Sequence, residues 1–348
     1  MRSLTYIIPF LALIILSSCT NPKRSEVSES DISNAGDNAE AEVSDIPDTM
    51  VYSIPLDYAA VVENAENTQK KEIASYKDVL DLFERLNYTP EAWQAGIREI
   101  PRVFLTMIGD RWGKTTTKEI DVLLKKQLFF RGIAPLILRA NELIMKDRKR
   151  LEDIRSEFKE KNLLDETDRI WLEKLSGLYK VKSSGEEVTL SMMEELWKKV
   201  DIVPPSLALG QAAEESGWGT SRFAGAGNAI YGQWTWGKNA MVPEEQRKEL
   251  GNYGIAAFES IQESVSAYML NLNTHNAYSN LRNKRAELRA NGQKITGSIL
   301  AEQLTRYSER GEEYVKGLKS LMEYNRLGPV DDAYLSDSPP IYLVPVAD

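Results

Sequence analysis

Residues 204–221 read PPSLALGQAAEESGWGTS, and beyond them the chain becomes rich in glycine, asparagine and tryptophan. Ser206 after two prolines is typical of a helix N-cap, and Gly217 is typical of the residue that ends a helix. The stretch therefore predicts a helix over 206–216 with Glu215 in its last turn. Further helices over 260–273 and 296–307 would complete an α+β unit.

Glu215 is predicted to lie where ionisation of its carboxyl group is disfavoured. The C-terminal end of a helix carries partial negative charge, and the face before Glu215 consists mostly of small apolar side chains. Both features raise the pKa of a carboxyl group, and a group that keeps its proton near neutral pH can serve as a general acid. Two adjacent acidic residues at a helix end usually lie in solvent and have no catalytic role. The Trp, Tyr, Asn and Gln that follow are, however, residue types that stack on sugars and hydrogen-bond to them.

These residues also resemble a known family. AEESGWG at 213–219, followed by NAIYG at 228–232, resembles the glucosaminidase domain of glycoside hydrolase family 73. Bax-type bacterial proteins are similar in SGWGTSRF at 216–223, YGQW at 231–234, AYMLNLN at 267–273 and KKQLFF at 125–130. The resemblance covers about residues 95–325. It implies a predominantly helical, lysozyme-like α+β domain with a small β lobe, acting on the β-1,4 bond between N-acetylglucosamine and N-acetylmuramic acid.

The resemblance assigns roles to individual residues. Glu215 matches the catalytic acid, and Tyr307 matches a tyrosine near the acid, with Glu309 or Tyr314 as alternatives if the register shifts. A second carboxylate would lie on a β-hairpin lobe over 238–254, where Glu245 is the first candidate and Glu244 and Glu249 are alternatives. The expected substrate-binding residues are Gln211, Ser216, Trp218, Asn228, Tyr231, Gln233 and Trp234.

The first residues of the chain are typical of an export signal. Arg2 precedes an apolar run over 7–16, and LSSC at 16–19 resembles a bacterial lipobox in which Cys19 would be lipidated. The alternative is a plain secretory signal with an incidental cysteine. A lipidated chain would be anchored to a membrane without spanning it, and Thr20 after the cysteine resembles the outer-membrane class of double-membrane bacteria. We therefore expect an outer-membrane lipoprotein facing the periplasm if the host is Gram-negative.

Composition shifts divide the chain into five parts. A lipoprotein signal peptide (1–19) precedes a disordered tether (20–50) with eight acidic residues and two basic ones. A helical region (51–200), a glucosaminidase domain (201–330) and a C-terminal tail (331–348) follow. In the helical region, Thr116 and Glu119 suggest a capping box that opens a helix, and Gly132 and Pro135 predict a kink or break.

Two further features, an aromatic pair and a histidine, are more typical of structural roles. The aromatic pair Phe129 and Phe130 could form a glycan platform, but aromatic residues at helical spacing more often belong to the core. The only histidine, His275, falls at a predicted helix C-terminus, where a cation is favoured, and we expect it to be structural or exposed.

The overall composition narrows the choice of partners. A formal net charge of −9 provides no basic field for nucleic acid, and one cysteine with one histidine leaves no cluster for zinc. No cofactor or metal is expected, and no motif identifies a protein partner. The expected function is a peptidoglycan endo-β-N-acetylglucosaminidase that binds glycan strands. A lytic transglycosylase and a non-catalytic wall-binding lipoprotein are the alternatives.

Overall fold

The computed structural model describes residues 68–182, 188–235, 240–242 and 254–346. All of these residues fall within one structural unit, Pro47–Asp348. The lipidation candidate Cys19, the tether and the lobe candidates Glu244, Glu245 and Glu249 lie outside the described residues.

Helices dominate the described chain and confirm the predicted class, a predominantly helical α+β protein. The α-helices are α1 (Tyr76–Arg85), α2 (Pro90–Gln94), α3 (Thr117–Glu119), α4 (Val122–Lys161), α5 (Glu166–Leu178), α6 (Leu190–Lys199), α7 (Pro205–Ser216), α8 (Arg222–Gly227), α9 (Ile261–Thr274), α10 (Ser279–Ala290), α11 (Gly297–Ala301) and α12 (Glu312–Tyr324). A π-helical turn (Trp112–Thr116) precedes α3, and 3₁₀ turns cover Asn276–Tyr278 and Gly328–Asp332. No helix among the described residues is long and apolar enough to cross a membrane.

The strands are short and form three small sheets. They are β1 (Gln69–Ile73), β2 (Glu99–Ile100), β3 (Val103–Leu105), β4 (Trp234–Thr235), β5 (Gly254–Ile255), β6 (Tyr334–Leu335) and β7 (Ile341–Pro345). β7 lies between β1 and β3 and pairs with both in parallel, β2 pairs with β6 in parallel, and β4 pairs with β5 in antiparallel register.

The 40-residue helix α4 differs from two expectations. It begins at Val122, because Asp121 Oδ1 accepts the N–H of Leu124 at 2.9 Å. The capping-box prediction for Thr116 is wrong, because Thr116 precedes only the three-residue helix α3 and its side chain makes no capping hydrogen bond. It also continues through Pro135 without a break. Proline removes one helical hydrogen bond, but this part of α4 is buried in the core on either side of Pro135, and that packing offsets the loss.

One hydrophobic core joins the two parts that the sequence suggested as separate. Its fully buried members include Phe83 near the N-terminal end, Ile137 on α4, Leu207 on α7 and Leu343 on β7. Helices α7 and α9 both pack against α4. The segment expected to be a tail instead supplies β7, the central strand of the three-stranded sheet.

The β lobe is described only at its base. Trp234 pairs with Ile255, and Met241 forms a bridge to the same residue. After the lobe, α9 matches the predicted helix over 260–273 with Ser260 as its N-cap. The helix expected over 296–307 ends at Ala301, and turns lead from there to α12.

Candidate functional site

Helix α7 carries Glu215 and is buried along almost its whole length. Its N-cap is Pro204 and its first residue is Pro205, so the helix begins one residue earlier than predicted and Ser206 lies inside its first turn. The capping group comes from a distant segment: Asp331 accepts the N–H of Ser206 at 2.8 Å and its hydroxyl at 2.7 Å. Contacts with a distant segment therefore hold the start of α7, and they fix the orientation of the helix that carries Glu215.

A tight turn follows Glu215 and locks the end of the helix. Gly217, Trp218 and Gly219 have φ values of 58°, 65° and 74°, in the left-handed region that favours glycine. The Ser216 hydroxyl donates to the carbonyl of Ala212 at 2.6 Å and accepts the N–H of Gly219 at 2.8 Å. Ser216 is fully buried, so its role is to hold this turn and not to contact substrate, which corrects the sequence prediction.

Three buried side chains form a hydrogen-bonded chain that ends on Glu215. The Tyr314 hydroxyl donates to Glu215 Oε1 at 2.9 Å. Gln211 Nε2 donates to the Tyr314 hydroxyl at 2.9 Å, and the Tyr268 hydroxyl donates to Gln211 Oε1 at 2.6 Å. Because Tyr314 already accepts from Gln211, its own proton is directed at Glu215. The predicted substrate contact for Gln211 is therefore wrong: the side chain is fully buried and orients Tyr314.

The environment of Glu215 raises the pKa of its carboxyl group. Burial is the main cause, and the neighbouring carboxylate of Glu214 adds to it. The hydrogen bond from Tyr314 and the charge of Arg310 act in the opposite direction without cancelling the rise. The direction agrees with the one inferred from the sequence, and it favours a protonated carboxylic acid at a pH where an ordinary glutamate is ionised.

Glu214 and Glu215 have different surroundings although they are adjacent. Glu214 is exposed and forms an ion pair with Arg310 at 2.8 Å. Glu215 points toward Tyr314 and the base of the lobe, where a side chain at Gly232 would begin 3.9 Å from Glu215 Oε2. Oε1 is thus occupied by Tyr314, and Oε2 faces a residue without a side chain. Tyr314 therefore contacts one oxygen of the carboxyl group, and the other lies on the side of Gly232.

The two candidate tyrosines lie together, but they contact Glu215 differently. Tyr314, in the first turn of α12, makes the hydrogen bond. Tyr307 stacks on the Tyr314 ring with centroids 5.3 Å apart, and no hydrogen bond joins its hydroxyl to Glu215. Burial, and secondarily the charge of Glu215, raise the pKa of Tyr307. The alternative register that the sequence left open therefore places Tyr314, and not Tyr307, on the acid.

Two further predicted substrate contacts are structural. Asn228 donates to the carbonyl of Phe258 at 3.1 Å, and its side-chain oxygen accepts the N–H of Ile108 at 3.3 Å. Tyr231 is buried and stacks on Tyr268 with ring centroids 3.7 Å apart. Both side chains join the base of the lobe to the core, Asn228 through its hydrogen bonds and Tyr231 through its ring, whereas the Tyr231 hydroxyl has no hydrogen-bond partner among the described residues. Burial of both side chains corrects their assignment as substrate-binding residues.

The aromatic residues near the site divide into packed and exposed ones. Trp218 contacts the edges of Phe129 and Phe130, with centroids 5.9 Å and 5.1 Å away, and Lys126 lies over its ring. Phe129 is buried in the core and Phe130 packs against it, as expected. Trp218 therefore anchors the turn after Glu215 to α4. Trp234 on β4 is 47% exposed.

Gln233 and His275, the remaining residues singled out in the sequence, do not contact Glu215 through a hydrogen bond. Gln233 is partly buried, and its side-chain amide has no hydrogen-bond partner among the described residues. His275 is exposed after α9, and its Nδ1 accepts the N–H of Ala277 at 3.2 Å. Partial burial of the imidazole ring and the nearby charges of Lys180 and Arg282 lower the pKa of His275, which disfavours a cation at this helix end. The described ranges contain no group of three or more His, Cys, Asp or Glu side chains placed to hold a metal ion.

The sequence missed Tyr268 as part of the site and misassigned Gln211. A signal for Gln211 was present, because it precedes Glu215 by four residues and so shares its helix face. The contribution of Tyr268 had no local signal, since α9 joins α7 only through tertiary packing.

Comparisons with known proteins agree with this arrangement. The family model for glucosaminidase, described as mannosyl-glycoprotein endo-beta-N-acetylglucosaminidase, matches residues 190–327. Protein bax of Escherichia coli (strain K12) is 34% identical over 203 residues, which cover 58% of this chain and 70% of that protein. No solved structure matches the chain. The matched region contains Glu215, Tyr314, Gln211 and Tyr268, and the chain belongs to the Bax-type family of bacterial proteins with a glycoside hydrolase-type glucosaminidase domain.

Proposed function

We propose that this protein is a peptidoglycan hydrolase, an endo-β-N-acetylglucosaminidase whose general acid is Glu215. The observation that carries the proposal is the partly buried carboxyl group of Glu215, which accepts a hydrogen bond from Tyr314 on Oε1 and has Gly232, a residue without a side chain, on the side of Oε2. The glucosaminidase family match supports a glycan substrate. The wall polymer is the substrate class that fits a protein exported by the predicted signal.

In the proposed reaction, Glu215 Oε2 gives its proton to the glycosidic oxygen as the bond to the anomeric carbon breaks. The leaving sugar departs as an alcohol, and water adds to the anomeric carbon. The lobe carboxylate that activates the water takes the proton that the water loses, and proton exchange with solvent then restores the protonated form of Glu215. The Tyr314 hydrogen bond stabilises the carboxylate that forms in this step. Gln211 and Tyr268 keep Tyr314 oriented and are therefore positioning residues.

Sugar binding, water activation and localisation involve residues outside α7. The exposed ring of Trp234, at the edge of the lobe, is suited to stack on a sugar face. A carboxylate of the lobe activates the water, with Glu245 as the first candidate and Glu244 and Glu249 as alternatives. Lipidation at Cys19 would hold the protein at the outer membrane of a double-membrane host, within reach of the wall.

The test is analysis of the ends that the purified protein creates in peptidoglycan. Wild-type protein should release fragments with borohydride-reducible N-acetylglucosamine ends, and Glu215→Gln should reduce release by about 10²–10⁴-fold. Glu214→Gln is the matched control: it removes the adjacent exposed carboxylate and should retain activity. Anhydro-muramyl ends would reassign the protein to the lytic transglycosylases. Retained binding without cleavage would support a wall-binding role, and full activity of Glu215→Gln would exclude Glu215 as the acid.

A further inference from the structure

A cavity lies apart from the Glu215 site. It has a volume of about 800 Å³ and is bounded by α4, α6, α10 and the loops at Asp201 and Gln293. None of its lining residues contacts Glu215 or belongs to the Tyr314 chain. It opens near the start of α7, and because a helix rises 1.5 Å per residue, about 15 Å along α7 separates it from Glu215. The function proposed above makes no use of it.

The cavity wall carries more positive than negative charge. Its cationic side chains are Arg148, Arg155, Lys198 and Arg289, and its carboxylates are Glu194 and Asp201. Asp201 is already engaged, because Arg289 forms two hydrogen bonds to it and Arg148 lies 3.6 Å away. Arg285, buried behind the wall, also approaches Asp201 at 3.6 Å. Three guanidinium groups thus share one carboxylate, and the cluster keeps an excess of positive charge beside the cavity.

Two of the cations have donors available for a ligand. Arg155 stacks on the ring of Trp197 with its guanidinium carbon 4.5 Å from the ring centre. Among the described residues, neither Arg155 nor Lys198 forms an ion pair or a side-chain hydrogen bond. Stacking orients a guanidinium group while leaving the N–H donors at its edge accessible, which is the geometry that binds a carboxylate through two bonds. The Arg155 fork and the Lys198 ammonium are therefore suited to anionic groups.

The size and the other lining residues favour a peptide over a small inorganic anion. A volume of about 800 Å³ falls in the range of pockets that hold drug-sized molecules. Ile202, Ala286, Ala290 and Ile295 provide apolar surface for small side chains. Glu194 adds an acceptor for peptide N–H groups or an ammonium group.

We infer that this cavity is a second binding site, separate from Glu215, which takes the carboxylates of a short acidic peptide. Identification of that peptide with the peptide branch of the cell wall rests on the proposed function. About 15 Å corresponds to four or five extended residues, so a short peptide attached near the cleaved bond has the length to span the separation. In that case the site would favour glycan that still carries its peptides.

The test measures peptide binding directly, independently of hydrolysis. Peptides released from peptidoglycan are titrated into the Glu215→Gln protein by calorimetry, and the same peptides with amidated carboxylates serve as the ligand control. Binding should weaken at least tenfold with the amidated peptides and in the double variant Arg155→Gln/Lys198→Gln. Lys174→Gln, an exposed lysine on α5 outside the cavity, should bind like the parent. If the double variant unfolds, Lys198→Gln alone should still weaken binding, because Lys198 is exposed.

Three results would overturn the inference. They are equal affinity for amidated peptides, equal affinity in the Lys198 variants, and displacement of the peptide by inorganic phosphate at similar concentration. Cleavage of peptide-free glycan strands by the otherwise wild-type protein is measured separately. Cleavage without peptide binding would support the proposed function and refute the second site. Peptide binding without cleavage would support the second site and contradict the proposed function. The cavity variants should cleave peptide-free strands at the wild-type rate.

Discussion

At the scale of single residues, the chemistry of Glu215 depends on the direction of one hydrogen bond. Gln211 donates to Tyr314, so Tyr314 must donate to Glu215. That bond stabilises the charged form of the acid, while burial stabilises the neutral form more strongly, and the net effect is a raised pKa. The site therefore keeps its proton available and still supports the charge that appears after the proton leaves.

The pH profile of hydrolysis should report this balance. A general acid works when protonated, so activity should fall as the pH rises through the raised pKa of Glu215, at a higher pH than for an ordinary glutamate. Tyr314→Phe removes a bond to the carboxylate, so it should move this falling limb upward by on the order of one pH unit and lower kcat. The measurement is kcat against pH.

Tyr307→Phe is the comparison for that experiment. It makes the same chemical change on the stacked neighbour, whose hydroxyl has no hydrogen bond to Glu215, and it should leave the limb in place. Equal shifts in the two variants would show that the change is not specific to the hydrogen bond from Tyr314 and would refute its role in setting the pKa of Glu215.

At the scale of secondary-structure elements, Asp331 joins three segments. Besides capping α7 through Ser206, it accepts the N–H of Gly297 at the start of α11 at 2.9 Å. The two helix starts approach so closely that a Cβ at Gly297 would lie 2.1 Å from Ser206 Oγ. Glycine is required at 297 for this contact, and one carboxylate satisfies donors of both helices.

Asp331→Ala should destabilise the protein by about 2 kcal/mol or more, because it removes a cap and leaves buried donors unpaired. The check is urea unfolding, in which the midpoint should fall with little change in the m-value. Asp332→Ala is the matched control, since that neighbouring side chain forms only an exposed ion pair with Lys294 and should cost less than about 1 kcal/mol. Similar losses in both variants would refute the capping role of Asp331.

At the scale of the whole molecule, the glucosaminidase region is not a self-contained body. Helices α7 and α9 pack against α4, which precedes the matched region, and β7 follows that region while pairing with β1 and β3. The core is continuous across all of these elements. The segment before residue 190 therefore supplies the surface against which the helix of Glu215 is fixed.

Residues 190–327 expressed alone should fail to fold cooperatively, whereas residues 68–346 should fold. The shorter fragment lacks α4 and therefore its buried side chains, such as Ile133, Leu136, Ile137 and Leu151. The free energy lost with their burial is on the order of 6–12 kcal/mol, which is comparable to the whole stability of a domain. Circular dichroism during thermal unfolding of both fragments provides the check. A sharp transition in 190–327 would show that the region is independent of α4.

The sequence by itself determined the helical α+β class, the position of Glu215 at the end of α7, the turn after it and the family. These are local properties: helix periodicity, proline and glycine signals, and a motif within a few residues. Only the tertiary structure decided that Tyr314 and not Tyr307 bonds to Glu215, that Gln211 serves Tyr314, and that α4 continues through Pro135. The same holds for Asp331, which caps a helix 125 residues away, and for β7 as a central strand. Each of these depends on contacts between segments far apart in the chain, whose energies come from burial and from hydrogen-bond partners that no local pattern encodes.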